Sequence, residues 1–131
     1  MKVLALDYGR ARTGVAVSDP TGSIARPLGV VEHAGTDAGL AEIVRLAEAE
    51  EVELIVVGLP LTLRGERGEQ AQETERFVEG LRAATDLPVD LFDERFTTDL
   101  AAATEGSTPE DSLAAAHLLT TYLMWKSGLR T

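Results

Sequence analysis

Four acidic residues stand where carboxylates could do chemistry together. Asp7 ends the apolar run Val3, Leu4, Ala5 and Leu6; Asp93 and Glu94 end the run PVDLF; and Asp111 opens a helical stretch near the C-terminus. A carboxylate at the mouth of a buried strand costs free energy unless a cation meets it. Counting from Asp111, Ala115, Leu118 and Tyr122 fall at i+4, i+7 and i+11, so this acid heads the stripe that packs inward. If Asp7, Glu94 and Asp111 converge, charges about 4 Å apart repel by about 1 kcal/mol in water and about 4 kcal/mol at a partly buried dielectric. Either their pKa values rise or a divalent cation neutralises them. Three hard oxygen donors, in a chain without cysteine, suit Mg2+ or Mn2+ better than Zn2+. Two such ions about 3.5–4 Å apart stabilise the attacking and leaving oxygens of an in-line phosphoryl displacement. Each acid also has an ordinary reading. Asp7 can cap a turn, Glu94 can pair with Arg95, and Asp111 suits the positive end of a helix dipole.

Strands and helices must bring these residues together. MKVLALD (1–7) and TGVAVSD (13–19) read as strands, joined through GRAR by a short Gly-containing turn that suits an antiparallel hairpin. After the turn DPTG, SIARPLGVVEH (23–33) predicts a third strand, and Pro27 places it at an edge. Leu40, Ile43, Val44 and Ala47 share one face of a helix over about 37–51. VELIVVG (52–58) is a compact buried strand. The loop LPLTLRGERGE leads to a helix over about 69–85 with Phe77, Val78 and Leu81 inward, then to the strand PVDLFDE (88–94). FTTDLAAA (96–103) predicts a short helix, and Pro109 suits the first turn of a final one. The order is βββαβαβαα. Helical crossovers call for parallel neighbours and hairpins for antiparallel ones. The expected fold is α/β: a mixed five-stranded sheet, its first three strands antiparallel and its last two parallel to the first, flanked by helices. Ligands of such sheets bind beyond the carboxyl ends of the parallel strands, where Asp7, Asp93 and Glu94 stand.

Composition narrows the function. The 131 residues read as one domain, 1–131, with 44% apolar and 26% charged residues, ordinary for a soluble protein. The absence of cysteine excludes a disulfide framework and a thiolate zinc site. No apolar run is long enough for a signal peptide or a membrane span, so the expected compartment is the cytoplasm and no membrane partner is expected. The net charge of −10 opposes nucleic-acid binding at face value. The way that charge is distributed weakens the objection. Residues 1–31 carry Lys2, Arg10, Arg12 and Arg26 against Asp7 and Asp19, whereas residues 32–53 set seven acids against Arg45 alone. The first hairpin is locally basic. Arg64 and Arg67, in the loop LTLRGERGEQ, could reach a phosphate backbone, or the loop could be simply solvated. His33 and His117 have no partner at ligand spacing and read as structural, while Tyr122 and Trp125 read as core or interface residues.

Four blocks, DYGRARTGVAVSD (7–19), VVGLPLTLRGERGEQ (56–70), DERFTT (93–98) and DSLAAAHLLTTYL (111–123), together resemble the YqgF family, also called RuvX. These are bacterial proteins of RNase H-like fold, regarded as pre-16S rRNA nucleases and as candidate Holliday-junction resolvases. The resemblance runs over nearly the whole chain in the family's order. It implies that Asp7, Glu94 and Asp111 are the catalytic, metal-binding acids. It also points to Gly9, Arg12 and Gly14 in the first hairpin, and to Arg95, Thr97 and Thr98 beside the second acid, as substrate contacts. Ala11 stands where the family usually has a lysine, and Arg64 where it often has an acid. The segment 99–110 is shorter than usual and lacks the basic residues typical there.

The expectation is a nuclease dependent on Mg2+ or Mn2+ that processes the ends of pre-16S rRNA, with ribosomal precursor particles as possible partners and a monomer or homodimer as the acting form. A junction-cutting DNA endonuclease and a non-catalytic RNA-binding or ribosome-assembly module are the alternatives. An ATP-handling domain of the actin and sugar-kinase type also uses D-x-G before a hairpin, but its site lies between two large lobes and this chain supplies one.

Overall fold

The computed structural model describes residues 1–60, 68–93 and 110–127. Among them β1 (Val3–Asp7), β2 (Arg12–Ser18), β3 (Ala25–Glu32), β4 (Leu54–Leu59) and β5 (Val89–Asp93) form one sheet, in the order β3-β2-β1-β4-β5. β1 and β2 pair antiparallel, as do β2 and β3, whereas β4 is parallel to β1 and β5 parallel to β4. This is the mixed sheet the sequence predicts. Pro27 lies on the edge strand β3, paired with Ala16, and Gly29 pairs with Val15, so Leu28 is an extra residue and the edge carries a bulge.

Helices α1 (Asp37–Ala49) and α2 (Glu69–Ala84) cover one face, and α3 (Glu110–Lys126) covers the other. Strand alternation decides which side chains meet which helix. Leu4, Leu6, Val15, Val17, Ile55 and Val57 pack with Ile43, Ala47, Phe77, Val78 and Leu81 of the α1–α2 layer. Val3, Ala5, Ala16, Leu54, Val56 and Phe92 pack with Ala115, Leu118, Leu119 and Tyr122 of α3. The central strands β1 and β4 are therefore apolar on both faces, which is why their sequences read as unbroken apolar runs. The short helix expected over 96–103 lies outside the described residues.

Local chemistry fixes the ends of these elements. Thr36 caps α1, its hydroxyl accepting a bond from the Gly39 amide at 3.1 Å and donating to the His33 carbonyl at 2.7 Å. Asp19, the acid that ends the second apolar run, folds its own loop. Its carboxylate accepts from the Ser23 and Ile24 amides at 2.7 and 2.9 Å and from the Thr21 hydroxyl. Those donors hold its carboxyl well below the usual carboxylate range.

Candidate active site

The site is built at the rim where β1 ends. Asp7 is the last residue of β1 and is half-buried. Its parity is that of Val3 and Ala5, so it belongs to the face that α3 covers. Directly across on β2 is Gly14, and the step of β4 that follows the Leu6–Val57 pair is Gly58. With glycine on both sides, no adjacent side chain crowds this carboxylate along its row of the sheet. Gly58 has no signal of its own in the sequence, because its place beside Asp7 depends on the β1–β4 register.

The turn after Asp7 is held by two residues. A Cβ on Gly9 would run into the carbonyl oxygen of Arg12, so the backbone closes here only without a side chain. Thr13, fully buried, spans the turn: its hydroxyl oxygen accepts from the Gly9 amide at 3.3 Å and donates to the Gly9 carbonyl at 3.4 Å. The hairpin then separates its arginines. Arg12 has the parity of Gly14 and Ala16 and so belongs to the Asp7 face. Arg10 turns to α2, where Nε and Nη2 donate to Glu73 Oε2 at 2.9 and 2.6 Å. Tyr8 follows it, stacked on Phe77 with ring centroids 4.5 Å apart. Burial, and secondarily the charge of Glu73, pushes the Tyr8 phenol pKa up.

Helix α3 runs opposite to β1. Its last turns, at Tyr122, Leu123 and Lys126, line a cleft with Met1, Val3 and Leu54 at the beginnings of β1 and β4. The Tyr122 hydroxyl donates to Asp90 Oδ2 at 3.2 Å, at the start of β5. From Tyr122 back to Asp111 is eleven residues, about 16 Å of helix, against about 13 Å of strand from Val3 to Asp7. The first turn of α3 is thus directed toward the rim at which β1 ends and β2 begins. Asp93 ends β5, two strands from β1. Phe92 packs toward α3, so Asp93, one step along, falls on the opposite face from Asp7.

The structure therefore brings Asp7, Gly9, Arg12 and Gly14 to one rim and points the backbone of Asp111 toward it. Glu94, Arg64, Arg67, Arg95, Thr97, Thr98 and the Asp111 side chain lie outside the described residues. Among the described residues no group of three or more His, Asp or Glu side chains could hold a metal ion. Tyr8, Arg10, Gln70 and Glu73, which line a cavity behind Asp7, carry no spacing signal, because the hairpin meets α2 only in the folded chain.

A five-stranded mixed sheet with an acid at the end of its first strand and a last helix aimed at that acid is the RNase H-like arrangement. RuvC from Thermus thermophilus, solved with a Holliday junction substrate, superposes with a TM-score of 0.64 at 20% identity, covering 98% of this chain and 96% of that one. The fowlpox virus Holliday junction resolvase gives a TM-score of 0.53 at 11% identity, covering 97% and 99%. A family model described as "RuvX: Holliday junction resolvase" matches residues 1–124, and the chain belongs to that family. A relative from Chloroflexus aurantiacus, named as a candidate pre-16S rRNA nuclease, is 48% identical over 96 residues, which are 73% of this chain and 63% of the relative. A relative from Sulfurihydrogenibium with the same name is 42% identical over 131 residues, covering 93% of this chain and 89% of its own. The match to the Chloroflexus protein thus leaves more than a third of that relative's length uncovered.

Proposed function

We infer that the chain is a divalent-metal-dependent nuclease that hydrolyses phosphodiester bonds at the ends of pre-16S ribosomal RNA, acting in the cytoplasm as a single domain over residues 1–131. The observation that carries this reading is Asp7, a half-buried carboxylate flanked by glycines at the mouth of a strand, on the face toward which α3 carries Asp111. The names of the relatives supply the substrate class. No helix among the described residues is long and apolar enough to cross a membrane.

Asp7, Glu94 and Asp111 are the residues that would hold the ions. All three are hard oxygen donors of the kind Mg2+ and Mn2+ take, and the residues beside Asp7 in its row, Gly14 and Gly58, carry no side chain. When bound, such ions lower the pKa of a water and offset the charge that develops on the phosphate. The chain's own residues do the rest. Gly9 and Thr13 fix the turn that sets Asp7 at the rim. Gly14 lets a phosphate approach the sheet surface. Arg12, on the Asp7 face, positions that phosphate, with Arg95, Arg64 and Arg67 as further phosphate contacts and Thr97 and Thr98 as hydroxyl donors. Asp93 stands on the far face, which favours the next acid in the chain as the second ligand.

A second reading, cleavage of a four-way DNA junction, is favoured by the description of the family. A homodimer would suit it, since two symmetric incisions match a two-fold protein; precursor ribosomal particles suit the first reading. The test is cleavage with Mn2+ of a pre-16S rRNA end beside a synthetic junction. Cutting of the RNA that falls more than about 100-fold in Asp7→Asn is expected, because a direct ligand should matter more than the residues that merely orient one. Cutting of the junction alone would move the substrate to DNA. Intact RNA and intact junction with folded protein would leave a binding module.

A further inference from the structure

A cavity of about 510 Å3 opens behind the rim, with Asp7 at its edge and Tyr8, Arg10, Glu69, Gln70 and Glu73 among its walls. Its size is that of small-ligand sites. Among the described residues three carboxylates line it against one guanidinium, and that guanidinium is already engaged by Glu73. From these described side chains a phosphate placed here meets net negative charge, which favours the opposite face, with Arg12, as its place. A neutral group with a donor-rich edge meets the reverse situation. Glu69 offers acceptors, and the Gln70 amide offers both a donor and an acceptor. Tyr8 supplies a ring whose plane is set by stacking on Phe77 at an interplanar angle of 21°, so a second ring can stack without ordering it first. An aromatic face, an amide and a carboxylate are the groups that read a nucleobase. The amide matches an adenine edge, the carboxylate an exocyclic amine, and the ring any base.

We propose that this cavity takes an unpaired nucleobase adjoining the cleaved phosphodiester, the strand crossing the rim with its phosphate on the Asp7 face and the base behind it. The proposal rests on the nuclease reading of that rim and names its substrate as single-stranded at the cut. A base inside a duplex has its pairing edge occupied and both faces stacked, and enters only if it is flipped out.

The experiment uses full-length Asp7→Asn protein with Mg2+, so that strands bind without being cut. Single-stranded RNA oligonucleotides spanning the cleavage position carry 2-aminopurine, or an abasic nucleotide, at successive positions. The expected result is quenched 2-aminopurine emission at one position, and binding weakened about tenfold by an abasic nucleotide there. Adding Gln70→Ala should weaken the intact strand about fivefold and leave the abasic strand unchanged, and a matching duplex should show no quenching. Gln70 is an exposed position of α2, so this variant keeps the fold. Adding Tyr8→Leu should abolish the quenching, with circular dichroism checking its fold. Equal affinity for intact and abasic strands at every position, equal weakening of both by Gln70→Ala, or no RNA binding at all would overturn the proposal. The two readings separate cleanly. Cleavage by wild-type protein with full tolerance of abasic strands defeats the base site alone, and base-dependent binding without cleavage defeats the nuclease alone.

Discussion

At the scale of single residues, the site depends on what is absent as much as on what is present. Gly9 is required because any side chain there collides with the Arg12 backbone. Gly9→Ala is expected to lower stability by about 1–3 kcal/mol, the usual cost of overpacking, and to reduce cleavage beyond what unfolding explains, as denaturant titration and kinetics together would report. Tyr122 behaves differently. Burial first, and the charge and hydrogen bond of Asp90 second, push its pKa up to about 12. A raised folded-state value means that the neutral phenol is stabilised. That stabilisation is whole below about pH 10, the unfolded value, and is lost as pH rises toward about 12. Tyr122→Phe should cost about 1 kcal/mol at neutral pH through the lost bond and should flatten the fall in stability between pH 10 and 12, measured by chemical denaturation at each pH.

At the scale of elements, the sheet and helices were legible because their periods are pure. β1 and β4 are apolar without a break, and α1 and α2 carry regular stripes, so their predicted spans agree with the structure to within a residue or two. Asp7 and the hairpin glycines could be singled out from sequence because a carboxylate after an apolar run and a glycine in a tight turn each have a local cause. The rest depends on register and parity. That Gly58 of β4 lies alongside Asp7, that Arg10 reaches α2 while Arg12 stays on the Asp7 face, and that Asp93 faces away are consequences of pairing between distant segments. No local spacing encodes them. Helix α1 offers a test of the local kind. Thr36→Ala removes the hydroxyl that accepts the Gly39 amide, and the melting temperature should fall by an amount equivalent to about 1 kcal/mol. The site should keep its activity, since α1 packs on the face away from Asp7.

For the whole molecule, the distribution of charge differs from a simple count along the chain. Three of the four basic residues of the first 31 positions are drawn into ion pairs in the fold: Lys2 and Arg26 meet Glu50 at 3.3 and 3.5 Å, and Arg10 meets Glu73. The net charge of −10 thus confronts a polyanion with little relief from these pairs, and on the proposed function divalent ions held at the rim would add positive charge there. The two apolar layers are built from side chains alone, so the metal-free protein should fold, while Mn2+ at about 100 times its Kd should add about 2.7 kcal/mol of stability that chelation removes. The convergence of the three acids is tested most directly by calorimetric titration of Mn2+ into wild-type protein and into Asp7→Asn, Glu94→Gln and Asp111→Asn. Each carboxamide is predicted to weaken Mn2+ binding more than about tenfold while the metal-free melting temperature is retained. Unchanged Mn2+ affinity in folded Asp111→Asn would contradict the shared site.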